Sequence, residues 1–216
     1  MNETGFFWKK LREALVFIYF PVYLLWFFML EQMNPENIFF VTNPLDRYIP
    51  FCEYFIVPYL LWFPYLFGGL SWFFLRERKS GFMKFAVTLI IGLTACLLIY
   101  TIFPNAQALR PASYPHDNLF TRVVKLLQDF DTPTNVCPSI HVFSTVALHI
   151  AVVKSECLGK KRCIKYGSLI LSVFICMSTV FLKQHSVTDV ICALVLNAVL
   201  YVLIYRPYRA ESHVSV

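Results

Sequence analysis

Six apolar runs constrain the fold of this chain more than any other feature of its sequence. They cover residues 14–30, 54–75, 85–103, 139–153, 166–182 and 190–205. A bilayer core about 30 Å thick is crossed by about 20 helical residues, and the last three runs, with 15 to 17 residues, are a little short of that. The runs lack the alternation of barrel strands, and backbone groups in lipid have to be satisfied internally. The sequence therefore predicts an all-α bundle of six transmembrane helices, with residues 1–216 as one integral membrane domain.

The composition excludes a soluble globular domain. Hydrophobic residues make up 58% of the chain and charged residues 15%, whereas soluble domains have about 25% charged residues. No basic stripe interleaved with aromatic residues indicates nucleic-acid binding, and no glycine-rich loop indicates a nucleotide cofactor. Seven cysteines, mostly in or beside the runs, imply no disulfide framework, although Cys52 and Cys137 fall on the same side of the membrane and could pair.

Lysine and arginine are unevenly distributed among the connections. The two tails and the second and fourth connections hold 14 of the 19 basic residues, whereas the other three connections hold eight of the 13 acidic ones. Basic connections stay on the cytoplasmic side of a membrane. We therefore predict a multi-pass protein of the cell membrane with both termini in the cytoplasm and with the third and fifth connections on the extracytoplasmic side.

The first of two polar strings, TNVCPSIHV at 134–142, brings a histidine to the edge of the fourth run. Placing an ionisable group at such an edge costs free energy, so such groups are most often functional. Ser139 suits the N-cap of a helix. A helix amino terminus also offers free N–H groups to an anion, and His141 would face that position. A packed polar histidine is the simpler alternative.

The second string, FLKQHSVTDV at 181–190, holds Lys183, Gln184, His185 and Asp189. On a helix, residues 185 and 189 lie one turn apart on the same face. A carboxylate that accepts from one imidazole nitrogen fixes the tautomer and raises the basicity of the other nitrogen. His185 is therefore predicted to be a prepared base or nucleophile. Alternatively, Lys183 and Asp189 are interfacial anchors or a simple ion pair.

The third connection adds Arg110, which precedes a proline in FPNAQALRP. Its planar guanidinium fits phosphate oxygens, although a lone arginine on a connection is most often only solvated. Combined with the two strings, it indicates a phosphoryl site that needs no metal. His185 would attack phosphorus and His141 would protonate the leaving oxygen, while Arg110, Ser139 and Lys183 stabilise the charge.

These residues resemble the motifs of the type 2 phosphatidic acid phosphatase superfamily, which includes lipid phosphotransferases such as inositol phosphorylceramide synthases. The family pattern is Lys-x6-Arg-Pro, then Pro-Ser-Gly-His, then Ser-Arg-x5-His-x3-Asp, on six-helix membrane proteins whose site faces outward. The matching positions are Arg110 and Pro111; Pro138, Ser139 and His141; and Ser178, His185 and Asp189. The resemblance adds Ser178 to the predicted phosphate-binding residues.

Three positions depart from the family pattern. Phe103, Ile140 and Thr179 stand where the family has lysine, glycine and arginine. Two phosphate-binding cations are therefore missing, and Lys183 is the candidate replacement because it lies near His185 on the same connection. The Pro-Ser-x-His form with a Lys-Gln-His string is more similar to the inositol phosphorylceramide synthase branch, which leaves both water and an alcohol open as the acceptor.

The resemblance implies a lipid phosphate phosphatase that acts on a phosphatidic acid-like phosphoester through a phosphohistidine, without metal or cofactor. The alternative is headgroup transfer of the inositol phosphorylceramide synthase type. The expected partners are a membrane lipid substrate and the bilayer. From the residues alone, two other classes stay open: a metal site formed by His141, His185 and Asp189, and a transport pathway, although transport sites usually lie near the midplane.

Overall fold

Seven α-helices form most of the chain in a computed structural model that describes residues 3–33, 35 and 37–206. Helix accounts for 71% of the structure, which confirms the all-α prediction. Two-residue strands β1 (Phe39–Phe40) and β2 (Asn105–Ala106) pair in parallel between the helices. The helices are α1 (Glu3–Glu31), α2 (Ile56–Arg76), α3 (Lys79–Ile102), α4 (Leu119–Phe130), α5 (Ile140–Lys154), α6 (Arg162–Phe181) and α7 (Val187–Leu200).

Four helical segments are long and apolar enough to cross a membrane. They are Glu53–Arg76, Lys79–Ile102, Arg162–Phe181 and Val187–Tyr205, while Ile18–Glu31 and Ile140–Lys154 are shorter apolar helices. The last two apolar runs are a little short, but the helices that contain them extend to 20 and 19 residues. Helix α6 begins within the basic residues before its run, and a π-helical turn at Tyr201–Tyr205 continues α7. The carboxyl tail beyond 206, with Arg209, lies outside the described residues.

Helix α5 lies at the centre of the bundle. It packs against α2, α3, α6 and α7, and its buried residues lie on more than one face, as expected of a helix that is apolar all round. Its contact with α3 is tight at Gly92, which faces the ring of Phe143. The buried residues of α5 are Val142, Phe143, Ser144, Thr145, Ala147, Leu148, Ala151 and Val152.

The connections between the helices lie at two opposite ends of the bundle. At the first, which we call the basic end, the α2–α3 and α5–α6 connections meet: Arg78 pairs with Glu156 (N···O 2.6 Å), and Ser155 donates to the carboxylate of Glu77. The two histidine strings lie at the opposite end, which we call the site end. The rings of His141 and His185 lie together there, with centroids 6.0 Å apart; that this end lies on one side of a membrane stays a prediction.

Helix α4 lies in the third connection, where no helix was predicted. Its N-cap is Asn118, whose side chain accepts from the N–H of Thr121 at 3.0 Å. Asn105 closes the same connection, because its side-chain oxygen accepts from the N–H groups of Val136 and Cys137 at 2.9 and 2.8 Å. The connection is therefore a folded cap over the site end.

Candidate active site

The first turns of α5 and α7 are joined by one backbone hydrogen bond. The N–H of Ser139 donates to the carbonyl of Asp189 at 3.3 Å. Ser139 is the N-cap of α5, as predicted, and accepts from the N–H of Val142 at 3.4 Å. Ser186 caps α7 in a capping box with Asp189. Both helix starts, and the histidines beside them, are thereby held together.

A tight turn between α6 and α7 carries the second string. Lys183 adopts a left-handed conformation with φ of 58°, and the N–H groups of Gln184 and His185 both donate to the carbonyl of Thr179 at 3.0 Å. A left-handed residue that ends a helix in this way satisfies its last carbonyls. Gln184 and His185 are thereby buried beneath the end of α6.

The two predicted histidines lie side by side, with ring centroids 6.0 Å apart. His185 Nδ1 is 3.2 Å from Asp189 Oδ2, which also accepts from the N–H of Ser186 at 2.9 Å. A carboxylate only accepts, so Nδ1 carries the proton and Nε2 keeps its lone pair. His185 precedes α7 rather than belonging to it, but its contact with Asp189 is the one predicted.

His141 is held in place by aromatic rings of α2. Its ring centroid lies 4.6 Å from that of Tyr59 and 4.3 Å from that of Trp62. The indole N–H of Trp62 donates to Ser144 at 2.9 Å, which fixes the indole against α5. Neither aromatic residue carried a signal in the sequence, because aromatic residues are frequent along every apolar run.

Both histidines line one cavity of about 330 Å³. Its polar wall consists of the two histidines, Asp131, Thr132, Thr134, Asn135 and Gln184. The rest of the lining is mainly apolar or aromatic and comes mostly from α1, α2 and α4. The cavity is therefore amphipathic, with its reactive groups at the polar side.

Gln184 is a buried polar residue of this wall that has an unused donor. It is 3% exposed, and its Oε1 accepts from Arg110 Nη2 at 2.9 Å. Its Nε2 is buried without a protein hydrogen-bond partner. Since the guanidinium fixes the oxygen, the amide nitrogen is the group left for a ligand. In the sequence, Gln184 was one polar residue beside His185, without a specific role.

Arg110 stands behind Gln184 rather than in the cavity wall. Its guanidinium also donates to the carbonyls of Gln128, at 2.9 Å, and Asp131, and so caps the end of α4. Its Nε is buried and has no partner. Arg110 therefore positions Gln184 and places a positive charge behind it.

Asp131 brings a carboxyl group to the same cavity. Burial raises its pKa, and electrostatic interactions with His185 and Arg110 partly oppose that rise. The carboxyl group is therefore held toward its neutral form next to the polar wall.

The other predicted phosphate-binding residues do not line the cavity. The Lys183 ammonium donates to the carbonyls of Asp46, at 2.9 Å, and Ile49, so Lys183 ties the first connection to the turn and forms no ion pair with Asp189. Ser178 is fully buried and donates back to the carbonyl of Ile175 at 2.6 Å. Ser139 is fully buried in its capping role, while its neighbours Ile140 and His141 reach the cavity.

In the part of the chain that the structure describes, no three His, Cys, Asp or Glu residues are placed to hold a metal ion. The alternative of a metal site therefore has no ligand set there. Asp189 is engaged with His185 and the N–H of Ser186. The pairing considered for Cys52 and Cys137 is not formed, since both are free thiols.

Comparison with known proteins gives no relative from which a role could be transferred. No family model matches the chain, and neither a curated protein nor a solved structure matches it. Any functional assignment therefore depends on the chemistry of the cavity.

Proposed function

We propose that this chain is a metal-independent lipid phosphate phosphatase that acts through a phosphohistidine on His185. Its substrate is a phosphatidic acid-like phosphoester, and its chemistry is that of the type 2 phosphatidic acid phosphatase superfamily, which its motifs resemble. The observation that carries the proposal is the histidine pair. The two ring centroids are 6.0 Å apart in one cavity, and Asp189 lies 3.2 Å from Nδ1 of His185.

The proposal includes six membrane spans with both termini in the cytoplasm and the cavity on the extracytoplasmic side. Two observations support it. All six apolar runs are helical, and the strongly basic connections meet at the end opposite the histidines. Positive connections stay in the cytoplasm, so the site end faces outward.

In the first step, the Nε2 lone pair of His185 attacks phosphorus. A P–N bond forms, the P–O bond to the lipid breaks, and His141 donates its proton to the leaving oxygen, so that the lipid leaves as an alcohol. Asp189 stabilises the positive charge that develops on the His185 ring through the Nδ1 proton.

In the second step, water attacks the phosphohistidine. His141, now neutral, takes a proton from that water, the P–N bond breaks, and phosphate leaves. Both histidines return to their starting state. The Nε2 amide group of Gln184 donates to the phosphoryl oxygens in both steps, with the positive charge of Arg110 behind it.

Headgroup transfer is the second candidate function. It is favoured by the extra polar wall of Thr132, Thr134 and Asn135, which would suit an acceptor rich in hydroxyl groups. Both reactions share the phosphohistidine and differ in what attacks it. Incubation with labelled lipid, with and without an alcohol acceptor, separates them: release of free phosphate alone favours the phosphatase, and a new labelled ester favours transfer.

Three histidine variants test the proposal. Purified His185→Ala should release phosphate from a panel of lipid phosphates about a thousandfold more slowly than the parent chain, and His141→Ala about a hundredfold more slowly. His116→Ala is the matched control, because His116 is exposed and pairs with Glu53 away from the cavity. Full activity of His185→Ala would end the proposed mechanism.

A further inference from the structure

A second cavity continues from the histidine cavity into the bundle. It has a volume of about 510 Å³ and lies between α1 and α2, and we call it the α1–α2 cleft. Its α2 wall is a stripe of side chains that recur every three or four residues, which places them on one helix face. They are Phe63, Leu66, Phe67, Leu70, Phe74 and Leu75.

The two cavities share part of their walls. Tyr23 and Leu24 of α1, Trp62 and Phe63 of α2, and Ile140 of α5 line both. Trp62 stands at the junction, with its ring 4.3 Å from that of His141 and its N–H fixed on Ser144. The two cavities are therefore adjacent, and a molecule whose phosphate lies beside the histidines has the cleft next to it.

The cleft is apolar, long and open at its side. Its lining residues include two serines but no charged residue, and one of the serines, Ser144, is already bonded to Trp62. From Trp62 to Leu75, helix α2 rises about 20 Å, whereas one bilayer leaflet has an apolar thickness of about 15 Å. Leu24, Phe67 and Leu75 are 47%, 55% and 70% exposed, so the cleft opens sideways along its length.

We infer that the α1–α2 cleft binds one long hydrocarbon chain of the substrate while its phosphate lies beside His185. This inference rests on the proposed function and specifies its substrate class: a phosphate monoester whose chain is long enough to fill an entire leaflet. Helix α1, which packs mainly against α3 through Tyr19 and Trp26, forms one wall of the cleft, and the chain enters from the bilayer between α1 and α2.

Photolabelling locates the chain without requiring turnover. Hexadecyl phosphate with a diazirine at the end of its chain is bound to the full-length protein in nanodiscs, irradiated, and the labelled residues are identified by mass spectrometry. Label is expected on the cleft residues farthest from the histidines along α2, such as Leu70 and Leu75. It should be lost in Ser71→Trp, because the indole fills the cleft. Leu61→Trp is the control, because Leu61 is on α2 but outside the cleft lining.

Chain-length selectivity gives a second measurement. Ser71→Trp should lower kcat/KM for hexadecyl phosphate by about tenfold or more and leave kcat/KM for octyl phosphate at the parent value, with Leu61→Trp unchanged for both. Label spread evenly over lipid-exposed residues such as Leu169 and Val195, or a Ser71→Trp variant that treats both substrates as the parent does, would overturn the inference. Label in the cleft without phosphate release by the parent chain would support the cleft and contradict the proposed function.

Discussion

The amide of Gln184 has one orientation because Arg110 holds its oxygen at 2.9 Å. If its nitrogen donates to the phosphoryl group, Gln184→Met should lower kcat by about a hundredfold. Gln184→Glu keeps an oxygen for Arg110 but replaces the donor by an acceptor, so it should be at least as impaired. Inhibition by vanadate should weaken in both variants. Gln32→Met, at an exposed position, is the control; parent activity in Gln184→Met would remove the amide from the site.

Asp131 should make both the stability of the protein and its KM for a phosphate depend on pH. Its raised pKa means that the folded protein keeps this proton at pH values where the unfolded chain has lost it, so stability falls as pH rises through that window. The same rise in pH creates a negative charge that repels a phosphate, and KM should increase. Asp131→Asn should flatten the KM–pH profile and lower KM at the upper end. A profile identical to that of the parent would show that the carboxyl group does not act on the substrate.

At the scale of helices, the contact between α3 and α5 depends on a missing side chain. A Cβ on Gly92 would lie 1.8 Å from the ring of Phe143, so Gly92→Ala should destabilise the protein by about 1–3 kcal/mol. Gly167→Ala is the control, because no heavy atom lies within 4 Å of its Cβ position and alanine favours a helix. Thermal unfolding in detergent measures both, and equal melting temperatures would contradict this packing.

The positions of the helices were largely predictable, whereas their ends and the cap over the site were not. Apolar runs mark residues that face lipid or core, but α6 continues through Arg162 and Lys165, where the helix leaves apolar surroundings. Helix α4 escaped prediction because its apolar residues are interrupted by polar ones. The cue was Asn118, a good N-cap, followed by apolar residues at helical spacing.

The contact of His185 with Asp189 could be predicted because their i, i+4 spacing fixes it locally. His141 comes from another helix, and its place beside His185 was predicted only by combining the two strings into one site. The contacts of the basic side chains could not be predicted, because they depend on tertiary structure. Lys183 follows α6 in sequence, yet its left-handed backbone and the carbonyls of Asp46 and Ile49 take its ammonium away from the cavity. Arg110 likewise acts on Gln184, which lies 74 residues away.

For the whole molecule, the proposed topology predicts which thiols a membrane-impermeant maleimide reaches. Cys157 and Cys163 are exposed at the basic end, so they should react in inverted vesicles and remain unlabelled in intact cells. A Ser113→Cys variant, at an exposed position of the site end, should show the opposite pattern. Labelling of Cys157 in intact cells would reverse the orientation and put the cavity in the cytoplasm.

The central claim is that the ring of His185 bonds covalently to phosphorus. The most direct measurement is rapid quenching of the protein during turnover of a radiolabelled lipid phosphate, followed by mapping of the labelled peptide. The account predicts an acid-labile, base-stable phosphoryl group on His185 that is absent from His185→Ala and present in His116→Ala. Turnover with no label on His185, or label on another residue, would contradict it.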